Sequence, residues 1–123
     1  MQIQESGEMY LETILILSKN SANVHAIDVC DYMGYSKPSV SRALGILKKA
    51  KYITVDENNH IHLTSDGKTL AEKIYERHTY LTKCLIMLGI DEKTASDDAC
   101  RIEHVISDKS FAVIKDLVDG KND

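Results

Sequence analysis

For most of its length the chain places apolar residues at intervals of three and four, the spacing of one face of an α-helix. In the first such stretch Met9, Tyr10, Leu11, Ile14, Leu15 and Leu17 form a broad apolar face, which Ser6 or Gly7 opens and Ser18-Lys19-Asn20-Ser21 closes. A short second helix is predicted around His25–Met33, carried by Ile27, Val29 and Cys30, with Gly34 as its stop. Ser36 is placed to cap a third, with Pro38 in the first turn, where a missing N–H does no harm. That helix runs to about Ala50 and turns Val40, Leu44 and Leu47 inward. Two short β-type runs follow, Tyr52–Val55 and His60–Leu63, joined by the turn residues Asp56-Glu57-Asn58-Asn59. His60 and His62 flank the second run and are expected to face solvent. Beyond Thr64, an N-cap, helical spacing returns. Leu70, Ile74, His78, Leu81, Leu85 and Leu88 lie 4, 4, 3, 4 and 3 apart, one stripe of one long helix with His78 inside it. Gly89 ends this helix and Asp91 caps a fifth, whose apolar face carries Ala95, Ala99, Ile102 and Ile106. Ser107 or Asp108 begins a sixth through Phe111, Ile114 and Leu117.

Helix, turn, helix, hairpin is the order of a winged helix-turn-helix, in which the helix after the turn enters the DNA major groove. Composition agrees with a mainly α chain. Among 123 residues there are one Pro and six Gly, and 43% hydrophobic with 28% charged residues excludes a disordered chain. No apolar run approaches the roughly 18–20 residues that span a bilayer. The opening MQIQESGEMYLE lacks the basic and apolar regions of a secretion signal. Three cysteines without framework spacing point to a reducing cytoplasm.

Net charge is −4, which excludes a uniformly basic nucleic-acid binder. Its distribution is uneven. Tyr32 to Val55 holds no acidic residue but carries Lys37, Arg42, Lys48, Lys49 and Lys51, so +5 sits in this stretch and −9 in the remainder. One basic island in an acidic body is a docking surface of single polarity. Ser36, Lys37, Pro38, Ser39, Ser41 and Arg42 open the third helix, whose free N–H groups suit phosphate oxygens. Ser39, Ser41 and Arg42 are donors of the kind that read base edges, the Pro38 ring suits a thymine methyl, and Lys48 with its neighbours serves the DNA backbone. A charge run is more often a solvated helix face; here the order of elements separates the two readings.

A second constellation carries metal chemistry. Cys100, Glu103 and His104 stand at i, i+3 and i+4, on one face of the fifth helix, with Arg101 turned away. Thiolate, carboxylate and imidazole within one turn form a partial shell for a divalent transition ion, and other elements must complete it. The first helix offers Met9 and Glu12, again one turn apart, and the long helix offers His78. Taken singly, Met9 reads as core filler, Cys100 as a buried thiol like Cys30 and Cys84, and His78 as a hydrogen-bonded core histidine. The cluster resists that reading, because no Lys or Arg shares the face to pair with a buried carboxylate.

Four blocks, Gly7-Glu8-Met9-Tyr10-Leu11-Glu12-Thr13-Ile14, Ser36-Lys37-Pro38-Ser39-Val40-Ser41, Glu76-Arg77-His78 and Asp98 through Asp108, resemble the diphtheria-toxin-repressor family of metal-dependent transcriptional repressors, which has iron- and manganese-responsive branches. The resemblance implies a winged helix-turn-helix DNA-binding domain over 1–64 and a helical metal-binding and dimerisation domain over 65–123. It implies that Met9, Cys100, Glu103 and His104 hold the regulatory ion in iron-type members, that Glu12 and His78 complete a second, adjacent position in manganese-type members, and that Ser36, Pro38 and Ser39 lie in the base-contacting stretch. With the sequence ending at Asp123, the SH3-like third domain of longer members is expected to be absent. Thr82 and Ser96 stand where iron-type members carry Glu and His ligands of an ancillary site, and manganese-type members have carboxylates where Met9 and Cys100 stand. Thioether and thiolate favour Fe²⁺, Co²⁺ or Ni²⁺ over the oxygen-seeking Mn²⁺, and availability in cells then points to Fe²⁺.

The expectation is therefore a cytoplasmic homodimeric repressor that binds double-stranded operator DNA when loaded with Fe²⁺, with Mn²⁺ as the alternative metal. The ion would tie the first helix to the fifth and set two recognition helices about 34 Å apart. No membrane and no small-molecule substrate enters. A thiol redox sensor acting through Cys100 is the competing regulator, and a metalloenzyme is set aside for want of a nucleophile–base pair or a substrate cleft.

Overall fold

The computed structural model describes residues 5–120; Met1-Gln2-Ile3-Gln4, part of the opening read as lacking a secretion signal, lies outside the described residues, as do 121–123. Among the described residues there are six helices and one hairpin: α1 (Glu5–Asn20), α2 (Ala26–Met33), α3 (Lys37–Lys49), β1 (Ile53–Val55), β2 (Ile61–Leu63), α4 (Ser65–Met87), α5 (Glu92–Ile102) and α6 (Asp108–Val118). No described helix is long and apolar enough to cross a membrane. Two compact units divide between Glu72 and Lys73, inside α4.

In the first unit the expected mainly α, winged helix-turn-helix order is present. Tyr10, Leu11, Ile14 and Leu15 on α1 are buried, as are Val29 and Cys30 on α2 and Val40, Leu44 and Leu47 on α3. Local chemistry sets the ends. The Asp28 carboxylate accepts the His25 N–H at 2.8 Å as α2 begins, and Gly34 closes it in the left-handed region at φ 72°. Ser36 caps α3 by accepting the Ser39 N–H at 3.3 Å, with Pro38 in the first turn. The hairpin is antiparallel, pairing Ile53 with Leu63 and Val55 with Ile61. Ile53 and Ile61 point inward, and the Ile61 N–H donates to Val24 O at 2.7 Å, which ties β2 to the loop before α2.

The wing turn is built on Asp56, whose Oδ1 accepts the N–H groups of Asn58 and His60 at 2.9 and 3.0 Å. His62 is exposed, as expected, and its Nε2 lies 2.9 Å from Asp56 Oδ2. His60 departs from the expectation. Its side chain is half-buried, edge-on to the His25 ring at 4.5 Å, because the turn folds it back over the start of α2. Hydrogen bonds from His62 first, and then from the His60 backbone, hold the Asp56 carboxyl at about 2. A carboxyl lowered in the folded state stabilises above its unfolded value, near 4, and that contribution disappears as pH falls towards 2. An NMR titration of Asp56 is expected to show a midpoint near 2, with wing resonances shifting over the same range; a midpoint near 4 would remove these bonds from the solution structure.

In the second unit α4 buries Ile74 and Leu81, while His78 and Leu85 are half-buried. Leu88 does not join the stripe: it is 72% exposed. The helix stops at Met87, and Gly89 at φ 101° reverses the chain, so Leu88 falls past the last helical turn. Asp91 caps α5 by accepting the Thr94 N–H at 3.0 Å, and Ala95 and Ala99 are fully buried. The fifth helix also ends earlier than its apolar spacing predicts. Glu103 is its C-cap, and His104 and Ile106 lie beyond. Ser107 caps α6 through the Ser110 N–H at 3.1 Å, and α6 buries Phe111.

Candidate metal centre

The segment that ends α5 keeps helical geometry for one residue past the helix, with Glu103 at φ −58° and ψ −25°. Its side chain therefore stays on the face that Cys100 and Ser96 occupy one and two turns earlier, and that face meets His78 on α4. The Glu103 side chain has no exposed surface. Its Oε2 lies 3.1 Å from His78 Nδ1, and its Oε1 lies 3.3 Å from His104 Nε2, so one carboxylate stands between two imidazoles. Cys100 Sγ is 3.7 Å from the same His78 Nδ1. The other ring nitrogen of His78, Nε2, faces Ser96 Oγ at 3.4 Å. Thr82, also on α4, uses its hydroxyl on its own helix, donating to His78 O at 2.7 Å.

His78, Cys100 and Glu103 offer donor atoms all within 4.8 Å of one another, and no other such group of His, Cys, Asp or Glu occurs among the described residues. Donors that sit ~2.0–2.3 Å from a common transition ion are themselves spaced ~3–4.5 Å apart, so the cluster has the right span. Nitrogen, sulfur and oxygen donors meeting on a fully buried carboxylate are the chemistry of a borderline divalent transition ion rather than of Mg²⁺ or Ca²⁺, which take oxygen alone. His104 joins through the second carboxylate oxygen. Met9 and Glu12 belong to α1 in the first unit, one turn apart; Glu12 is buried and Met9 half-buried. Cys30 is buried and Cys84 half-buried, and neither belongs to the cluster. Cys100 is exposed rather than the buried thiol of the plainer reading.

Two side chains around this centre were not singled out for it from the sequence. Ser96 lies at the spacing that would have found it, four residues before Cys100 and seven before Glu103. Arg77 is 8% exposed, and its guanidinium donates to the backbone oxygens of Glu103 and Ile106 and to the Asp108 carboxylate. Lys73 first, and then Arg77, hold the Asp108 carboxyl below its ordinary value.

In the first unit the N-cap Ser36 and, on α3, Lys37, Pro38, Ser39, Ser41, Arg42 and Lys48 are all exposed, whereas Val40, Leu44 and Leu47 are buried. The Ser36 hydroxyl also donates to Ser39 Oγ at 2.9 Å, so these two hydroxyls are engaged with each other at the helix start.

Two family models match the chain. The N-terminal DNA binding domain of iron dependent repressors matches residues 2–61, and the iron dependent repressor metal binding and dimerisation domain matches residues 64–120. The chain belongs to the iron dependent repressor family. Like the other members, it is a metal-dependent transcriptional repressor and not an enzyme. Among curated relatives, an uncharacterized HTH-type transcriptional regulator of Methanocaldococcus jannaschii is 30% identical over 92% of this chain and 92% of its own length. HTH-type transcriptional regulator MntR of Bacillus subtilis is 30% identical, covering 92% of this chain and 80% of that protein. The diphtheria toxin repressor of Corynebacterium diphtheriae is 28% identical, and the chain spans 52% of its length. Among solved structures, the manganese regulator SloR superposes with a TM-score of 0.83 at 24% identity, over 99% of this chain and 56% of that one. The metal-dependent transcriptional regulator MtsR does so with a TM-score of 0.85 at 24% identity, over 95% and 54%. These two likenesses establish the shared fold, the mainly α architecture with a small antiparallel hairpin.

Proposed function

We propose that this repressor is a homodimer that binds double-stranded operator DNA when loaded with Fe²⁺, and so matches metal-uptake gene expression to metal supply. In this reading residues 1–64 form the DNA-binding domain and residues 65–123 the metal-binding and dimerisation domain. The observation that carries the choice of metal is the Cys100 thiol, 3.7 Å from His78 Nδ1 beside a buried carboxylate. Sulfur disfavours Mn²⁺ relative to the later divalent ions, and cellular availability then selects Fe²⁺. Cys100, Glu103 and His104, with His78 beside them, would hold the ion from the second unit; the resemblance adds Met9 to that ligand set and Glu12, with His78, to a second, adjacent position. The ion would supply a positive charge that offsets the repulsion between the Cys100 thiolate and the buried Glu103 carboxylate.

Met9, joined by Glu12 where the adjacent position is filled, would restrain α1 on metal loading, favouring the spacing of α3 helices that an operator requires. Ser36, Lys37, Pro38, Ser39, Ser41, Arg42 and Lys48 would face the DNA. Self-association is supported by exposed apolar side chains in the second unit: Ile86 and Met87 at the end of α4, Leu88 just beyond it, and Val113 and Leu117 one turn apart on α6. Mn²⁺ is the second reading, supported by the buried oxygen donor Glu12 and by relatives named MntR.

The test is a titration of operator binding with anaerobic Fe²⁺ and with Mn²⁺, against a chelator control. Tightening at lower free Fe²⁺ than Mn²⁺ is expected, and the reverse order assigns the protein to manganese. DNA binding that survives the chelator but falls on mild oxidation would replace both readings with the thiol sensor.

A further inference from the structure

Arg77 and His78 are consecutive on α4, and Glu103 and His104 are consecutive at the end of α5; we infer that Arg77, clamped on the Glu103 backbone, is a positioning residue for the metal cluster. The inference rests on the metal-centre reading above and deepens it.

The last carbonyls of an α-helix have no donor within the helix. At the end of α5 the donor comes from α4. Arg77 Nη1 reaches Glu103 O at 3.3 Å and Ile106 O at 2.8 Å, while Nη2 pairs with the Asp108 carboxylate at the start of α6. The Arg77 side chain is only 10% exposed, and the Phe111 ring lies 5.5 Å from the central carbon of the guanidinium. One planar group thus holds three points of the segment 103–108. The residue whose backbone it holds is the one whose carboxylate faces both imidazoles. Because Arg77 and His78 share a rigid turn of α4, any shift of the clamp relative to Glu103 is also a shift of His78 relative to the carboxylate. Lysine cannot reproduce this. Its donors radiate from a single nitrogen, whereas the fork presents separate nitrogens to the carbonyls and to the carboxylate.

Groups that orient metal ligands without touching the metal change affinity by about 10- to 100-fold when removed. The full chain carrying Arg77→Lys is therefore expected to bind Co²⁺ about 10- to 100-fold more weakly than wild type, with an altered ligand-field absorption spectrum, at a temperature where circular dichroism shows both to be folded. Ile74→Val serves as the control for a merely structural role, since it trims a buried side chain of the same unit and removes no group that contacts the guanidinium. It should lose stability yet keep the Co²⁺ affinity and spectrum. Wild-type affinity and spectrum in Arg77→Lys would overturn the inference, and so would an equal loss in Ile74→Val. Should Arg77→Lys fail to fold, Asp108→Asn carries the test, because it removes the carboxylate that orients the guanidinium. A loss of about 10-fold is then expected, and unchanged affinity overturns the inference. Wild-type protein that binds no Co²⁺ would instead sink the metal centre itself, a distinct result.

Discussion

Glu103→Gln is expected to lower divalent metal affinity by about 100-fold or more and to erase the metal-dependent gain in operator binding. The size follows from comparison: moving a group that only orients a ligand costs about 10- to 100-fold, so removing an anionic ligand costs at least the upper figure. Gln keeps the volume of a side chain that has no exposed surface, so no cavity opens. It gives up the negative charge and one acceptor, and its amide N–H₂ must face either His78 or His104. A fully buried carboxylate is costly to desolvate, so the metal-free variant should melt within a few degrees of wild type or above it. Calorimetric metal titration and fluorescence anisotropy on labelled operator, with and without metal, measure both parts. Linkage adds a check, because the factor by which metal tightens DNA must equal the factor by which DNA tightens metal. Both factors should approach one in the variant. Undiminished metal stimulation would place the regulatory ion elsewhere.

The largest effect on stability is expected from Gly67→Ala. A Cβ at Gly67 would lie 1.9 Å from Tyr52 O and 2.9 Å from Tyr52 C, and both are backbone atoms that no rotamer change moves. Tyr52 is pinned in turn: its N–H donates to Leu47 O and its O accepts from the Thr64 N–H, each at 3.0 Å. The Thr64 hydroxyl donates to Lys51 O at 2.8 Å and accepts the Gly67 N–H at 3.0 Å. The first turn of α4 therefore rests directly on the chain entering the wing. Forcing a methyl into this contact should cost about 3 kcal/mol, which for a unit of this size lowers the melting temperature by roughly 12–24 °C. Gly45 on α3 supplies the opposite case, since a Cβ there meets nothing within 4 Å. Gly45→Ala should stabilise by up to ~1 kcal/mol through helix propensity alone. Thermal melts of the two variants decide it, and a Gly67→Ala protein as stable as wild type would refute the close approach.

Much of this architecture is legible along the chain because its determinants are local. Ser36, Asp91 and Ser107 cap helices through backbone groups three residues away, Gly34 and Gly89 end helices by tolerating positive φ, and Asp56 organises its turn within four residues. Helical spacing likewise brings Ser96, Cys100 and Glu103 onto one face without reference to the rest of the molecule. The departures occur where a segment's environment comes from elsewhere. Leu88 continues an apolar stripe on paper but lies beyond the residue at which α4 stops. His60 alternates like a solvent-facing strand residue but is covered by His25.

The sequence by itself determined the helix and strand boundaries to within a few residues, the basic face of α3, and the set of donor types able to hold a divalent ion. Only the tertiary structure decided that His78 meets Cys100 and Glu103, that the Glu103 carboxylate lies between two imidazoles, and that an arginine on α4 secures the end of α5. The reason is physical: capping and periodicity act over a few residues, whereas the contacts of His78 and Arg77 with residues 100–106 join positions 22 to 29 apart, and their geometry follows from how α4, α5 and α6 pack.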